Sequence, residues 1–132
     1  MEAKQKEVVR SSFYLYDIQD IFEYGEATFG EKAAIYFYQE IKSIVQRLET
    51  EYLLHPECHH LETKTKIYRN IILGSYLIIY RIRANRIEVL RAFHGSHSPK
   101  ILKTAKKIKI YSFENFFIKI ILSKLTSCFI SI

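Results

Sequence analysis

The sequence predicts an α+β protein with an N-terminal strand, an antiparallel helical hairpin, a three-stranded antiparallel meander and a basic C-terminal helix. Apolar residues recur at spacings of three and four between residues 13 and 52, which is typical of helices. Between residues 66 and 93 the spacing changes to two, which is typical of strands. The length of 132 residues suits one domain, and 48% hydrophobic residues with 14% aromatic residues exclude a disordered chain.

The chain begins with a short predicted strand that leads into a helix. Residues 5–12 end in Ser11 and Ser12, and a serine suits the N-cap of a helix because its hydroxyl accepts a free backbone N–H. The first helix is predicted from Phe13 to Gly25, since apolar residues follow helical spacing over this stretch.

The second helix is predicted over residues 31–52, antiparallel to the first. Thr28 and Glu31 have the spacing of a capping box, in which a hydroxyl and a carboxylate each bind a free backbone N–H, so we expect the helix to begin there. Its apolar stripe consists of Ala34, Phe37, Ile41, Ile44, Val45, Leu48 and Tyr52.

Three strands rich in Ile, Tyr and Val follow a polar loop over residues 55–65. They are predicted at 66–73, 76–83 and 86–93, and two-residue turns between them predict an antiparallel meander. The more apolar face, expected to pack on the helices, carries Ile67, Arg69, Ile71, Leu73, Tyr76, Ile78, Tyr80, Ile82, Ile87, Val89, Arg91 and Phe93. The opposite face carries Lys66, Tyr68, Asn70, Ile72, Leu77, Ile79, Arg81, Arg83, Arg86, Glu88 and Leu90.

The C-terminal part changes composition twice. Pro99 can start a helix, and the residues after it are rich in lysine. Residues 111–132 are strongly apolar but are interrupted by Lys119 and Lys124, and they barely reach the length of a membrane span. We expect this segment to dock on the chain or on a partner, without stable membrane association. The predicted division is a domain over 1–110 and an apolar extension over 111–132.

The net charge of +6 conceals two oppositely charged segments. Residues 1–62 carry six basic and twelve acidic residues, a net charge of −6, whereas residues 63–132 carry fourteen basic and two acidic residues, a net charge of +12. The basic segment suits an acidic protein or a nucleic acid, and its field would speed association with either.

Cysteine content and the first residues indicate the compartment. Cys58 and Cys128 are 70 positions apart and suit a reducing cytosol, although one disulfide stays open as an alternative. Residues 1–10 are charged and lack the apolar core of a signal peptide, so we expect a cytoplasmic protein.

The order of these elements resembles the RelE/ParE superfamily of bacterial toxins. The likeness covers about residues 5–108, and the extension after Ile110 lies outside the family pattern. The stretches that are similar to the family's first helix, interhelix turn and sheet are SFYLYDIQDIFEY at 12–24, FGEKA at 29–33, YR at 68–69, GSYLIIYRI at 74–82 and IEVLRAFHG at 87–95.

The resemblance implies the toxin of a type II toxin–antitoxin pair, held inactive in a complex with its cognate antitoxin. It leaves two targets open, because ParE-type members poison DNA gyrase and RelE-type members cut mRNA on the ribosome. A third alternative is an inactive remnant that binds only antitoxin or DNA. We favour the ParE-like branch, which acts by binding gyrase and without turnover.

Five arginines of the predicted sheet are candidates for binding the target or the antitoxin: Arg69, Arg81, Arg83, Arg86 and Arg91. Arg69 and Arg91 fall on the more apolar face, where a guanidinium needs a partner, so we expect Asp17, Asp20 or Glu23 to pair with them. The other three arginines are expected at the surface, with Glu88 opposite Arg81.

Two histidines are the candidates for catalysis if the protein is a nuclease. His94 and His97 could act as an acid–base pair on a ribose hydroxyl and a leaving oxygen. The alternative is that they serve packing or capping. The stretch lacks the tyrosine that RelE-type nucleases place there, which disfavours the nuclease.

The loop sequence HPECHH at 55–60 suggests a metal, because His55 and Cys58 have a spacing that zinc permits. A closed zinc site needs four well-placed ligands, however, and these residues all lie in one loop. We therefore expect a polar loop and no metal. No Gly-rich phosphate loop or nucleotide fingerprint occurs, and no cofactor is expected.

Overall fold

A computed structural model of the chain describes residues 4–96 and 99–110. The elements are β1 (Glu7–Arg10), α1 (Ser12–Phe29), α2 (Glu31–Gln46), α3 (Leu48–Glu51), a 3-10 turn (His59–Leu61), β2 (Tyr68–Leu73), β3 (Tyr76–Ile82), β4 (Arg86–His94), α4 (Pro99–Lys103) and a second 3-10 turn (Thr104–Lys107). The predicted α+β class and order of elements are confirmed. His97 and the extension over 111–132 lie outside the described residues.

The helical hairpin, α1 with α2, differs from the prediction at its turn. Ser11 caps α1, since its Oγ accepts the backbone N–H of Tyr14 at 3.0 Å and donates to the carbonyl of Leu90 at 2.6 Å. The helix continues past Gly25 to Phe29, so the predicted capping box at Thr28 is wrong. Gly30, with φ 94°, instead ends α1 and precedes α2, because glycine adopts positive φ without a steric penalty.

The second predicted helix is interrupted but its buried face is correct. Arg47 separates α2 from the short α3. Across both pieces, the predicted positions Ala34, Ile41, Val45, Leu48 and Tyr52 are buried. Packing on the sheet therefore continues through the interruption.

The sheet has the strand order β1-β4-β3-β2, with β1 parallel to β4 and the remaining pairs antiparallel. The predicted meander is confirmed, and β1 adds the fourth strand. A β-bulge lies where Ile79 pairs with Arg91 while the next residue, Tyr80, pairs with Val89. The extra residue, Leu90, reverses the alternation of the rest of β4. Ala92, rather than Phe93, therefore faces the helical hairpin, which corrects the predicted face.

The two faces of the sheet have separate covers. The hairpin covers one face, and its apolar stripe packs with Ile71, Ile78, Tyr80 and Val89. Residues 99–110, here called the strap, cover the other face, where Leu102, Ala105 and Ile108 pack with Tyr68, Ile79, Leu90 and Phe93. No helix within 4–96 and 99–110 is long and apolar enough to cross a membrane.

Candidate functional site

Three arginines of the sheet surround one carboxylate on the face that the strap covers. Glu88 lies opposite Arg81 in the register, as predicted, and is 1% exposed. Its Oε1 accepts from Nε of Arg81 at 2.7 Å and from Nε of Arg83 at 3.0 Å, while Oε2 accepts from Arg86 at 2.6 Å. This group, here called the arginine cluster, holds three guanidiniums against one carboxylate.

The arginine cluster also holds the strap to the sheet. Arg81 donates through Nη2 to the carbonyl of Ile108 at 2.7 Å and through Nη1 to that of Lys106 at 3.5 Å. Arg86 donates to the carbonyl of Ile110. One carboxylate cannot accept all the hydrogen bonds that three guanidiniums donate. Backbone carbonyls of the strap therefore accept some of the remaining N–H groups.

Burial and pairing act in opposite directions on the pKa values of this cluster. Burial disfavours the charged carboxylate of Glu88, but hydrogen bonds and charges of the arginines outweigh it and hold the pKa below its ordinary value. Burial also disfavours the charge of Arg81, and hydrogen bonds to Tyr68 and Glu88 raise its pKa nonetheless. Both residues are therefore charged at neutral pH.

The three arginines differ in access to solvent. The expectation that all lie at the surface is wrong for Arg81, which is 3% exposed because the strap covers it. The side chain of Arg83 is 50% exposed and that of Arg86 is 17% exposed. An open cleft beside the β3–β4 turn is lined by Arg83 and Arg86 together with the acidic Glu7 of β1. Arg83 is thus the most accessible of the three to a partner.

Arg91 has the predicted partner. Its Nε and Nη2 donate to the two carboxylate oxygens of Asp17 at 2.6 and 2.9 Å, and Asp17 also accepts the backbone N–H of Ala92 at 2.9 Å. Ala92 lies beyond the end of the β1–β4 pairing, so this carboxylate caps an edge of the sheet and ties α1 to β4. The predicted pairing is confirmed for Arg91.

Arg69 is held differently from the prediction. No acidic partner binds it within the described part of the chain. Its guanidinium instead donates to the carbonyls of Leu53 and His55, at 3.0 and 2.9 Å, and to that of Lys66 at 3.4 Å. Arg69 therefore fastens the loop that follows α3 to the edge strand β2.

Of the two candidate catalytic histidines, His94 lies within the described residues. His94 is exposed at the end of β4, with Nδ1 2.7 Å from Oγ of Ser96 and its ring edge-to-face with Tyr76. These contacts match the packing alternative. His97 lies outside the described residues, so the acid–base pair stays a prediction.

The loop over 55–60 has a buried cysteine rather than an open ligand set. Cys58 is 2% exposed, and burial raises the pKa of its thiol, which disfavours the reactive thiolate. Burial also lowers the pKa of His55. Among residues 4–96 and 99–110, no group of three His, Cys, Asp or Glu side chains could hold a metal ion.

The outer side of the helical hairpin is rich in exposed aromatic residues, a feature that the sequence reasoning missed. Tyr16, Phe29 and Tyr36 are about 70% exposed. A narrow apolar cleft between α1 and α2 is lined by Phe22, Phe29, Phe37, Tyr38 and Tyr76. The sequence carried a signal for this surface, because Tyr16 and Tyr36 fall on helix positions outside the apolar stripes. Exposed apolar patches of this kind mark interaction surfaces.

The fold, a helical hairpin on a four-stranded sheet with a basic strap, is that of the RelE/ParE class. The family model of the ParE toxin of the type II toxin–antitoxin system parDE matches residues 14–99, about two thirds of the chain, and the protein belongs to this family.

Comparison with solved structures supports the same fold. A structure of the chromosomal ParDE toxin–antitoxin system from P. aeruginosa superimposes with a TM-score of 0.58 and 16% sequence identity, covering 70% of this chain and 98% of that one. A search of curated proteins finds no significant match.

Proposed function

We propose that this protein is a toxin that arrests bacterial growth in the cytoplasm by binding DNA gyrase, and that a cognate antitoxin neutralises it. Membership of the ParE family supports the toxin role. The main support for a mechanism by binding is the structural role of the sheet arginines. Arg81, Arg69 and Arg91 hold the strap, the loop and α1 in place, so they are not grouped around a reactive centre.

Among the five candidate arginines, Arg83 is the one we propose as the main contact to the target. Half of its side chain is exposed, its Nε is bound by Glu88, and it lines the open cleft beside the β3–β4 turn. Arg86 contributes beside it. Arg69, Arg81 and Arg91 act indirectly, by holding the segments that shape this surface.

The antitoxin is proposed to cover the helical hairpin with an amphipathic segment. The exposed aromatics and the apolar cleft supply the apolar contact that a stable protein complex needs. The acidic helices also supply rim charges to which basic antitoxin side chains can bind. Toxin and antitoxin chains together would form the resting hetero-oligomer.

The test is expression of the chain in a bacterial host without antitoxin, with purified gyrase assayed in parallel. We expect growth arrest, loss of supercoiling activity and gyrase trapped on cleaved chromosomal DNA. Messenger RNA cut at ribosomal A-site codons would instead support the nuclease alternative. Soluble protein that causes no arrest would support the inactive remnant.

A double substitution further distinguishes the gyrase inhibitor from the mRNA nuclease. His94→Ala combined with His97→Ala removes both candidate catalytic side chains, and we expect toxicity to be unchanged. Arg83→Ala serves as the comparison, since it should weaken gyrase inhibition about tenfold while the thermal unfolding midpoint stays near that of the wild type. Loss of toxicity in the double histidine variant alone would contradict binding without catalysis.

A further inference from the structure

The strap carries five exposed lysines, and one of them, Lys106, also contacts the ring of Tyr68 in the sheet. Leu102, Ala105 and Ile108 are buried beneath it. The exposed positions of the strap include Lys100, Lys103, Lys106, Lys107 and Lys109. The sequence has no acidic residue from 89 to 113, so this segment offers no carboxylate to offset the five ammonium groups.

The arginine cluster extends this cationic surface onto the sheet. Three guanidiniums share the single carboxylate of Glu88, which leaves a net charge of +2. Arg86 binds the carbonyl of Ile110, so the end of the strap lies beside the β3–β4 turn, where Arg83 is half exposed. Lys6 joins the same turn, because its Nζ donates to the carbonyl of Arg83 at 2.7 Å.

The chemistry of the strap's exposed side suits phosphate groups better than a protein partner. Of the twelve exposed large hydrophobic residues in the described part of the chain, eight lie on α1 and α2 and one, Ile101, lies on the strap. A protein interface draws its energy from apolar and aromatic anchors at its centre. Lysine ammonium groups instead bind phosphates as point charges without such anchors.

The same surface suits a duplex better than a single strand. Single strands bind by stacking their bases on exposed aromatic rings. The aromatic rings under the strap, Tyr68 and Phe93, are buried, and Nζ of Lys106 lies 5.6 Å from the ring centre of Tyr68. From Lys100 to Lys109 the strap spans about 15 Å, and a duplex presents one phosphate charge per about 1.7 Å of axis. The lysines therefore meet many phosphates without base contacts.

We propose that the strap lysines bind the phosphate backbone of duplex DNA independently of its sequence. Binding requires neither gyrase nor antitoxin, so this inference goes beyond the proposed function. Either one can fail while the other stands, because DNA binding is measured with the chain alone.

The test is fluorescence anisotropy of the full chain with a labelled duplex of about 25 base pairs and arbitrary sequence. Each phosphate neutralised contributes about −0.9 to the slope of log K against log salt concentration, so four to six contacts predict a slope of about −4 to −5. The variant with Lys103→Gln, Lys106→Gln and Lys107→Gln should show a slope shallower by about 2 to 3 and at least about tenfold weaker binding at 0.1 M salt.

A matched variant removes the same total charge from the other side of the molecule. Lys32→Gln, Lys42→Gln and Arg47→Gln are exposed changes on or next to the hairpin, and they should leave affinity and slope close to those of the wild type. Equal weakening by both variants, or no binding by the wild type, overturns the proposal. Tighter binding to single-stranded DNA also overturns it. Displacement by polyglutamate at lower charge concentration than by unlabelled duplex would assign the surface to an acidic protein instead.

Discussion

The helical hairpin and the strap cover opposite faces of one sheet, and they are held to it in different ways. The hairpin relies on a large apolar cluster with fully buried residues such as Val45 and Leu48. The strap is short, and it adds hydrogen bonds from Arg81 and Arg86 to its carbonyls. A long amphipathic helix can bury enough apolar area to dock by itself, whereas a twelve-residue strap needs polar anchors.

The surfaces that the two covers present to solvent also differ. The outer side of the hairpin is aromatic and acidic, whereas that of the strap is cationic. The difference teaches that the acidic helices and the basic strap, which lie far apart in the sequence, become two separate faces of the fold. A protein partner and a polyanion could then bind at the same time.

The largest expected effect is at the carboxylate that anchors the strap. Glu88→Gln leaves the buried guanidinium of Arg81 without its counter-ion and should lower the free energy of unfolding by about 3–5 kcal/mol. Urea unfolding followed by circular dichroism measures it. Glu40→Gln, an exposed change on the hairpin, is the control and should stay within about 0.5 kcal/mol of the wild type. Similar losses in both variants would contradict the anchoring role.

The same carboxylate predicts how stability depends on pH. Since the pKa of Glu88 is lower in the folded protein than its ordinary value of 4.5, its contribution is complete above that pH and is lost as pH falls towards the folded-state pKa. Urea titrations between pH 7 and 3 should show a loss of stability below about pH 4.5 that is smaller in Glu88→Gln. An identical profile in the variant would remove Glu88 as its source.

Two Leu→Ala substitutions compare how much apolar packing contributes to stability on the hairpin side and on the strap side of the sheet. Leu48→Ala, on α3 in the apolar cluster under the hairpin, should cost about 3–4 kcal/mol, and Leu102→Ala under the strap about 2–3 kcal/mol. The reason is that α4 has five residues and can shift into the space, whereas Leu48 is enclosed by long elements. Both values come from urea unfolding. A larger loss at Leu102 would show that the strap is the more rigid cover.

An intermediate effect is expected where the hairpin has its own ionic anchor. Asp17→Asn weakens the pair with Arg91 and should cost about 1.5–3 kcal/mol, the range for hydrogen bonds to charged groups. Asp20→Asn, exposed one turn further along α1, should change stability little. Thermal unfolding of the two variants distinguishes a specific contact from a general effect of removing negative charge.

The smallest expected effect concerns the ends of the hairpin helices. Ser11→Ala removes the cap of α1 and should cost about 1–2 kcal/mol. Thr28→Ala should cost less than about 0.5 kcal/mol, because Thr28 lies inside α1 and caps nothing. If the two losses were equal in calorimetry, the helix boundary at Phe29 would be wrong.

The local sequence pattern was sufficient to predict the helices and strands and most of the buried positions of the hairpin. Apolar spacing alone predicted the buried positions of α2 and α3, because helical periodicity decides which side chains share a face. It also placed Glu88 opposite Arg81, since a short turn determines the register of two strands. The predicted partner of Arg91 was correct although its predicted face was not, since the bulge turns Arg91 to the face of Ile79 and Asp17 still binds it.

The predictions that were wrong concern places where segments distant in sequence pack together. Leu90 forms a bulge that no local pattern marks, and it reversed the predicted face of Arg91 and Phe93. Gly30, rather than Thr28, separates the helices, and α1 continues past Gly25, where α2 lies so close that an added β-carbon would be 3.6 Å from that of Ala34. Neither outcome depends on residues adjacent in sequence alone.

The sequence by itself determined the class of fold, the order of its elements and the separation of negative from positive charge along the chain. Those properties depend on residue type and spacing over a few turns. Only the tertiary structure decided that Arg81 is buried while Arg83 is half exposed. The burial of a side chain depends on what covers it, and the strap that covers Arg81 comes from residues about 25 positions further along the chain.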